Sequence, residues 1–142
     1  MVTVQQVYDI AIHLMDEQNE SNGATGGTDT AEYKYRTISI LNTVIPALYP
    51  YSGNYSAGAK GRPSAKQLYA EDYANPDMEQ VIPLDDTLAL ACLPYYLASI
   101  LLSSENDSLS GQFMNHYRMA LADLRSKVPA DFAPITAPYG LF

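Results

Sequence analysis

Tryptophan is absent from this chain, and cysteine and phenylalanine are nearly so: one Cys and three Phe in 142 residues. A single thiol, Cys92, can close no disulfide within the chain and build no cysteine-based zinc site. Basic residues are also scarce. Eight Lys and Arg stand against 16 Asp and Glu, giving a net charge of −8. Such a surface repels phosphate, which argues against nucleic-acid binding by a broad face. The longest apolar run, Leu88 to Leu102, contains Pro94, Tyr95, Tyr96 and Ser99. It falls short of the roughly 20 residues that a membrane span needs, so a buried helix is expected and no membrane partner. The opening Met-Val-Thr-Val-Gln-Gln has neither the basic nor the apolar stretch of a secretory signal. A soluble protein made in a reducing cytosol is the expectation.

What is present is the composition of a folded domain, 47% hydrophobic and 17% charged. Four helices can be placed. Thr3 and Gln6 have the spacing of a capping box, and Val4, Val7, Tyr8, Ala11, Leu14 and Met15 recur at three- and four-residue steps. That helix should stop near Asn19 to Gly23. A second helix is expected from Asp29, with Glu32 as reciprocal cap and an apolar face of Tyr33, Thr37, Ile40, Leu41, Val44 and Leu48. Pro46 should kink its last turn.

A third helix follows Ile82-Pro83-Leu84, with Asp85 or Asp86 at its N-terminus, where negative charge is favoured. It is apolar on all sides, so it should be the central element, bent near Pro94. A fourth is expected from Asp107 or Ser108, with a stripe of Leu109, Phe113, Tyr117, Leu121, Leu124 and Val128. The short link around Glu105 to Ser108 makes helices three and four an antiparallel hairpin. The predicted fold class is therefore all-α: a small four-helix bundle of two helical hairpins over residues 1–128. It carries a long central loop, 49–83, in which Val81-Ile82 could form a short β segment.

Groups that could carry chemistry are sparse. His13 and His116 fall on the polar sides of their helices, in no metal-like spacing. Asp85-Asp86 reads as a helix cap, and Asp16-Glu17 and Glu71-Asp72 as solvated faces. The sequence gives no reason to expect an enzyme, a cofactor or a metal. Lys60, Arg62 and Lys66 are three of the eight bases, gathered on one glycine-rich stretch. They read either as a soluble loop tip or as contacts to an acidic partner or to passing DNA phosphates.

Two features point toward assembly. Tyrosine is abundant at 12 residues, and Tyr51, Tyr55, Tyr69 and Tyr73 crowd the long loop. Tyrosine suits interfaces, because it gives area and a polar tip; packing back on the same domain remains equally open. The second feature is the final segment, 129–142, with one charge (Asp131) and three prolines. Phe132, Ile135, Tyr139, Leu141 and Phe142 make it too apolar for a solvated terminus, and the prolines exclude a helix. Four helices with complete apolar faces already furnish a core, so the expectation is an extended arm that docks on another chain.

The pattern as a whole resembles the head–tail connector, or adaptor, proteins of long-tailed bacteriophages. The resemblance rests on Leu48-Tyr49-Pro50 closing the second helix, Pro83-Leu84-Asp85-Asp86 opening the third, Tyr95-Tyr96-Leu97-Ala98 at its centre, and the Phe113/Tyr117 stripe followed by Leu121-Ala-Asp-Leu-Arg125. It implies a homo-oligomeric ring, typically a dodecamer, at the head–tail junction (neck) of a virion assembled in a bacterial cytoplasm. Implied partners are the portal protein above and a stopper or tail-completion protein below, with DNA only in transit. It also implies C-terminal docking on the portal, and loops facing the lumen or the next ring. The alternatives are a neighbouring neck component, such as a head-closure or tail-terminator protein, or a non-viral helical binding module.

Overall fold

Thr3 sets the start of the first helix. Its hydroxyl accepts the Gln6 amide at 3.3 Å while the Gln6 side chain accepts the Thr3 amide at 2.9 Å, so two otherwise orphaned donors satisfy each other's residues. Helix α1 then runs Val4–Met15. The computed structural model describes residues 1–17, 20–26, 30–52, 68 and 75–127. Within them stand three further helices: α2 (Ala31–Leu48), α3 (Asp86–Leu102) and α4 (Asp107–Lys127), with a 3-10 turn at Tyr49–Tyr51. The fold is a small all-α bundle.

Several boundaries differ from expectation, each for a local reason. Helix α1 ends earlier, at Met15, because Asp16 adopts a left-handed conformation (φ 59°) and its amide turns back to the His13 and Ile12 carbonyls. Asp29 lies outside the described residues; Thr30 occupies the N-cap position of α2 and makes no side-chain cap bond. Its hydroxyl donates instead to the Thr25 carbonyl at 2.8 Å. Asp85 caps α3 by accepting the Leu88 amide at 2.8 Å. Helix α4 is capped one residue before the expected pair, by Asn106, whose side-chain oxygen accepts the Leu109 amide at 3.1 Å. The Val81-Ile82 segment forms no strand among the described residues. Val81 makes an isolated antiparallel bridge with Thr3, flanked by Ile82 N–H to the Val2 carbonyl and Val4 N–H to the Gln80 carbonyl.

Helix α3 lies at the centre and packs against each of the other three helices. Its apolar character on every side is the reason. Leu88, Ala89, Cys92, Leu93, Leu97, Ala98, Leu101 and Leu102 are all buried, and full burial of each large aliphatic side chain is worth about 1.5–3 kcal/mol. Helix α1 contributes Val4, Val7, Tyr8, Ala11, Ile12 and Met15, and α2 contributes Tyr33, Thr37, Ile38, Ile40, Leu41, Val44, Ile45 and Leu48. Helix α1 packs chiefly on α3, and less on α2.

The direction of each helix is fixed by tertiary hydrogen bonds. At one end Tyr33, near the start of α2, donates to the Glu105 carboxylate beyond the end of α3 at 2.6 Å. At the other end the Asp85 amide donates to the Ser52 hydroxyl at 2.9 Å. Helix α2 is thus antiparallel to α3. Helix α4 returns antiparallel as well, joined to α3 by a reciprocal serine pair: Ser99 Oγ donates to the Ser110 carbonyl at 2.9 Å, and Ser110 Oγ to the Ser99 carbonyl at 2.8 Å.

Candidate functional site

Of the loop tyrosines, Tyr51 falls within the described residues. It closes the 3-10 turn after α2, and its ring lies beneath the Arg125 guanidinium, 5.0 Å from carbon to ring centroid. Tyr51 is therefore packed back on its own chain, yet it remains 41% exposed. A cation over an aromatic face at this distance is worth about 0.5–1 kcal/mol when exposed. The contact brings the end of α2 to the last turns of α4, the helix that leads into segment 129–142. Tyr55, Tyr69 and Tyr73, the bases Lys60, Arg62 and Lys66, and the arm anchors Phe132, Ile135, Tyr139, Leu141 and Phe142 lie outside the described residues, as does Val128.

Four of the residues that carry the sequence resemblance, Tyr95, Tyr96, Phe113 and Tyr117, fall at contacts between helices. Tyr96 on α3 reaches Thr43 on α2, with 2.9 Å between hydroxyls, and its ring meets Tyr117 on α4 at 5.2 Å. Thr43 gives its own proton to the Ile40 carbonyl at 2.6 Å, so Tyr96 is the donor of the pair. Its neighbour Tyr95 turns the other way along α4, 6.4 Å from Phe113 and stacked on the exposed His116 ring at 5.3 Å. Adjacent tyrosines on α3 thus hold α4 from both flanks. Burial pushes the Tyr117 hydroxyl up to about 12; this group keeps its proton and serves as packing, with no acid–base role near neutral pH.

A second polar knot holds residues 20–26 to α1. The Tyr8 hydroxyl lies 3.2 Å from the Thr30 carbonyl and 3.3 Å from that of Thr25. Thr25 Oγ donates to Asp9 at 2.6 Å, and Gln5 donates to the same carboxylate oxygen at 2.7 Å. His13 Nε2 is 3.1 Å from the Gly23 carbonyl. Nothing in the spacing of the sequence marks this knot, because most of its partners are backbone carbonyls of an irregular segment.

The long segment is held at a point that the sequence did not reveal. Asn42 on α2 clasps Leu68 from both sides: its amide donates to the Leu68 carbonyl at 3.0 Å and its oxygen accepts the Leu68 amide at 2.7 Å. Leu68 itself is 5% exposed and belongs to the core. The chain between Ser52 and Leu68, which carries Lys60, Arg62 and Lys66, therefore has both ends fastened to the bundle.

Asp85, Asp86 and Cys92 are engaged in structure. Asp85 caps α3, and Asp86 lies 3.4 Å from the Met1 amine in an exposed pair. Cys92 is fully buried and its thiol is pushed up to about 11, first by burial and then by Asp85, which disfavours the reactive thiolate. Among the described residues, no three His, Cys, Asp or Glu stand together so as to hold a metal ion, and no helix is long and apolar enough to cross a membrane. Comparison with protein-family models, with curated proteins and with solved structures finds nothing that matches this chain.

Proposed function

We propose that this protein is a structural subunit of a bacteriophage neck, one of a ring that joins the portal to the stopper or tail and extends the DNA channel. The observation that carries the reading is the place of the resemblance residues in the fold. Asp85 caps the central helix, Tyr95 and Tyr96 splay to hold α4, and Phe113 and Tyr117 complete that seam. A bundle held together by the residues that carry the resemblance supports common architecture, and through it a common role. The charge supports the role as well: a subunit of net charge −8 repeated around a channel lets DNA slide without sticking.

In this reading segment 129–142 is the docking arm and Phe132, Ile135, Tyr139, Leu141 and Phe142 are its anchors. Deleting the segment is expected to leave the far-ultraviolet helical signal intact while abolishing binding to the cognate portal. A truncated chain that unfolds would make the segment an internal strap, and the docking role would fall. Reversing Lys60, Arg62 and Lys66 together should impair DNA retention or ejection in particles that still assemble. Normal infectivity would return those bases to a plain loop tip. An image of the particle neck without this chain in it would end the proposal as a whole.

A further inference from the structure

Helix faces turned to solvent normally carry the charge of an amphipathic helix. In this chain two of them do not over part of their length. No charged residue stands between Arg36 and Lys60, or between Asp107 and Arg118. Helix α2 therefore presents Ser39 and Thr43 to solvent beyond Tyr35, which is 45% exposed. Helix α4 presents Gln112 and Asn115; beyond the uncharged stretch, next to Arg118, comes Met119, which at 70% exposure is the barest large apolar side chain among the described residues of the four helices. Two copies of a chain of net charge −8 repel each other wherever acids meet. They can approach at least cost through neutral faces, where little charge must be desolvated.

The two faces also lie at matching heights. Helices α2 and α4 are both antiparallel to α3, as the Tyr33–Glu105 and Ser52–Asp85 bonds and the Ser99–Ser110 pair establish, so they run in the same direction. Thr43 and Tyr117 meet the same Tyr96 side chain. Stepping back along each helix from that level at about 1.5 Å per residue, Ser39 stands level with Phe113, between the exposed Gln112 and Asn115, and Tyr35 stands level with Leu109, one turn before Gln112. We infer that the exposed face of α2 is the docking surface for the exposed face of α4 of a second copy, Tyr35, Ser39 and Thr43 meeting Gln112, Asn115 and Met119. Two different faces in one contact make it head-to-tail, and such contacts close into rings where the rotation allows. The inference rests on the ring reading and names its subunit–subunit contact. Met119 supplies a flexible, polarizable side chain suited to such a surface.

The test is a disulfide ladder. A Ser39→Cys/Asn115→Cys double variant, confirmed helical by circular dichroism, is oxidised alongside each single variant and the unmodified chain. Both positions are exposed, and the native Cys92 is buried. Within one chain α2 and α4 pack on α3 rather than on each other. The expected result is a series of covalent multimers extending past the dimer from the double variant, and only monomers from the three controls. A multimer seen by light scattering without any ladder would overturn this contact and leave the ring reading standing. Disulfide dimers of either single variant would indicate a two-fold contact, and chains that stay monomeric at the highest soluble concentration would show no self-contact; either would count against both.

Discussion

Cutting the Asn42 clasp is the perturbation that best probes how the long segment is held. In an Asn42→Ala variant both bonds to Leu68 disappear, the 2.7 Å bond from its amide and the 3.0 Å bond to its carbonyl. Two outcomes compete. If Leu68 stays in place, its amide and carbonyl are left unsatisfied in a buried setting, at about 1–3 kcal/mol each. If Leu68 leaves, both groups regain water, but a leucine only 5% exposed loses its burial, worth about 1.5–3 kcal/mol. In that second case the net contribution of the two bonds, about 1–3 kcal/mol, is lost as well. The two routes thus cost about 2–6 and about 2.5–6 kcal/mol, so the total loss should be at least about 2 kcal/mol. Urea unfolding reads the stability, and amide exchange reads the Leu68 N–H directly. An Asn42→Asp variant keeps an acceptor for the amide but sets a carboxylate against the carbonyl, so it should not rescue. A stability change under about 0.5 kcal/mol, with the Leu68 amide still protected, would refute the clasp as a structural tie.

Other consequences can be checked by the same means. Ser99 is 2% exposed and hydrogen-bonds across the α3–α4 seam; Ser99→Ala should cost about 1 kcal/mol for its hydrogen bond, and Ser99→Leu about 1–3 kcal/mol or more by forcing the helices apart, both read as a fall in Tm. Alkaline titration should destabilise the fold. Burial holds Tyr8 and Tyr33 above the ordinary tyrosine range, Tyr33 further through Glu105, with Tyr117 at about 12 and the Cys92 thiol at about 11. Below the unfolded-state values both states keep these protons and nothing is lost. Above about pH 10 the unfolded chain ionises first, so stability drains as pH rises toward the folded values; a urea midpoint flat from about pH 9 to 12 would contradict this.

The parts of the fold that sequence revealed are those decided within one turn of helix. Thr3 and Gln6 form their capping box because both partners lie three residues apart, and Asp85 caps α3 for the same reason. Where several residues could serve, spacing could not choose between them: Asn106-Asp107-Ser108 offers three capping side chains in a row, and Asn106 takes the role. At Thr30 the local rule lost to a tertiary one, because the hydroxyl has the Thr25 carbonyl beside it. The Val81-Ile82 pairing stays a single bridge since Thr3 opens a helix on one side and Pro83 has no amide on the other. Asn42 could not have been singled out, since a polar residue on a helix flank reads as solvated until a distant Leu68 arrives beside it. For the candidate site, Tyr51 was ambiguous in the sequence because its Arg125 partner lies on another helix, and the other loop tyrosines and the apolar arm lie outside the described residues.

The two helical prolines show how a sequence that looks self-contradictory remains consistent. Each removes a helical donor and leaves the carbonyl four residues earlier without its usual partner. For Pro94 that carbonyl belongs to Leu90, which is 45% exposed, while the Pro94 ring is itself buried in the core. Water can reach the orphaned carbonyl on the outer side while the ring fills space on the inner side. For Pro46 the carbonyl belongs to Asn42, which is partly exposed. Both interruptions therefore fall at residues that are not fully buried, where solvent is able to replace the missing bond. That is why α3 can carry a proline at its middle and still act as the central helix, and why α2 runs through Pro46 to Leu48 before the 3-10 turn brings Tyr51 under Arg125.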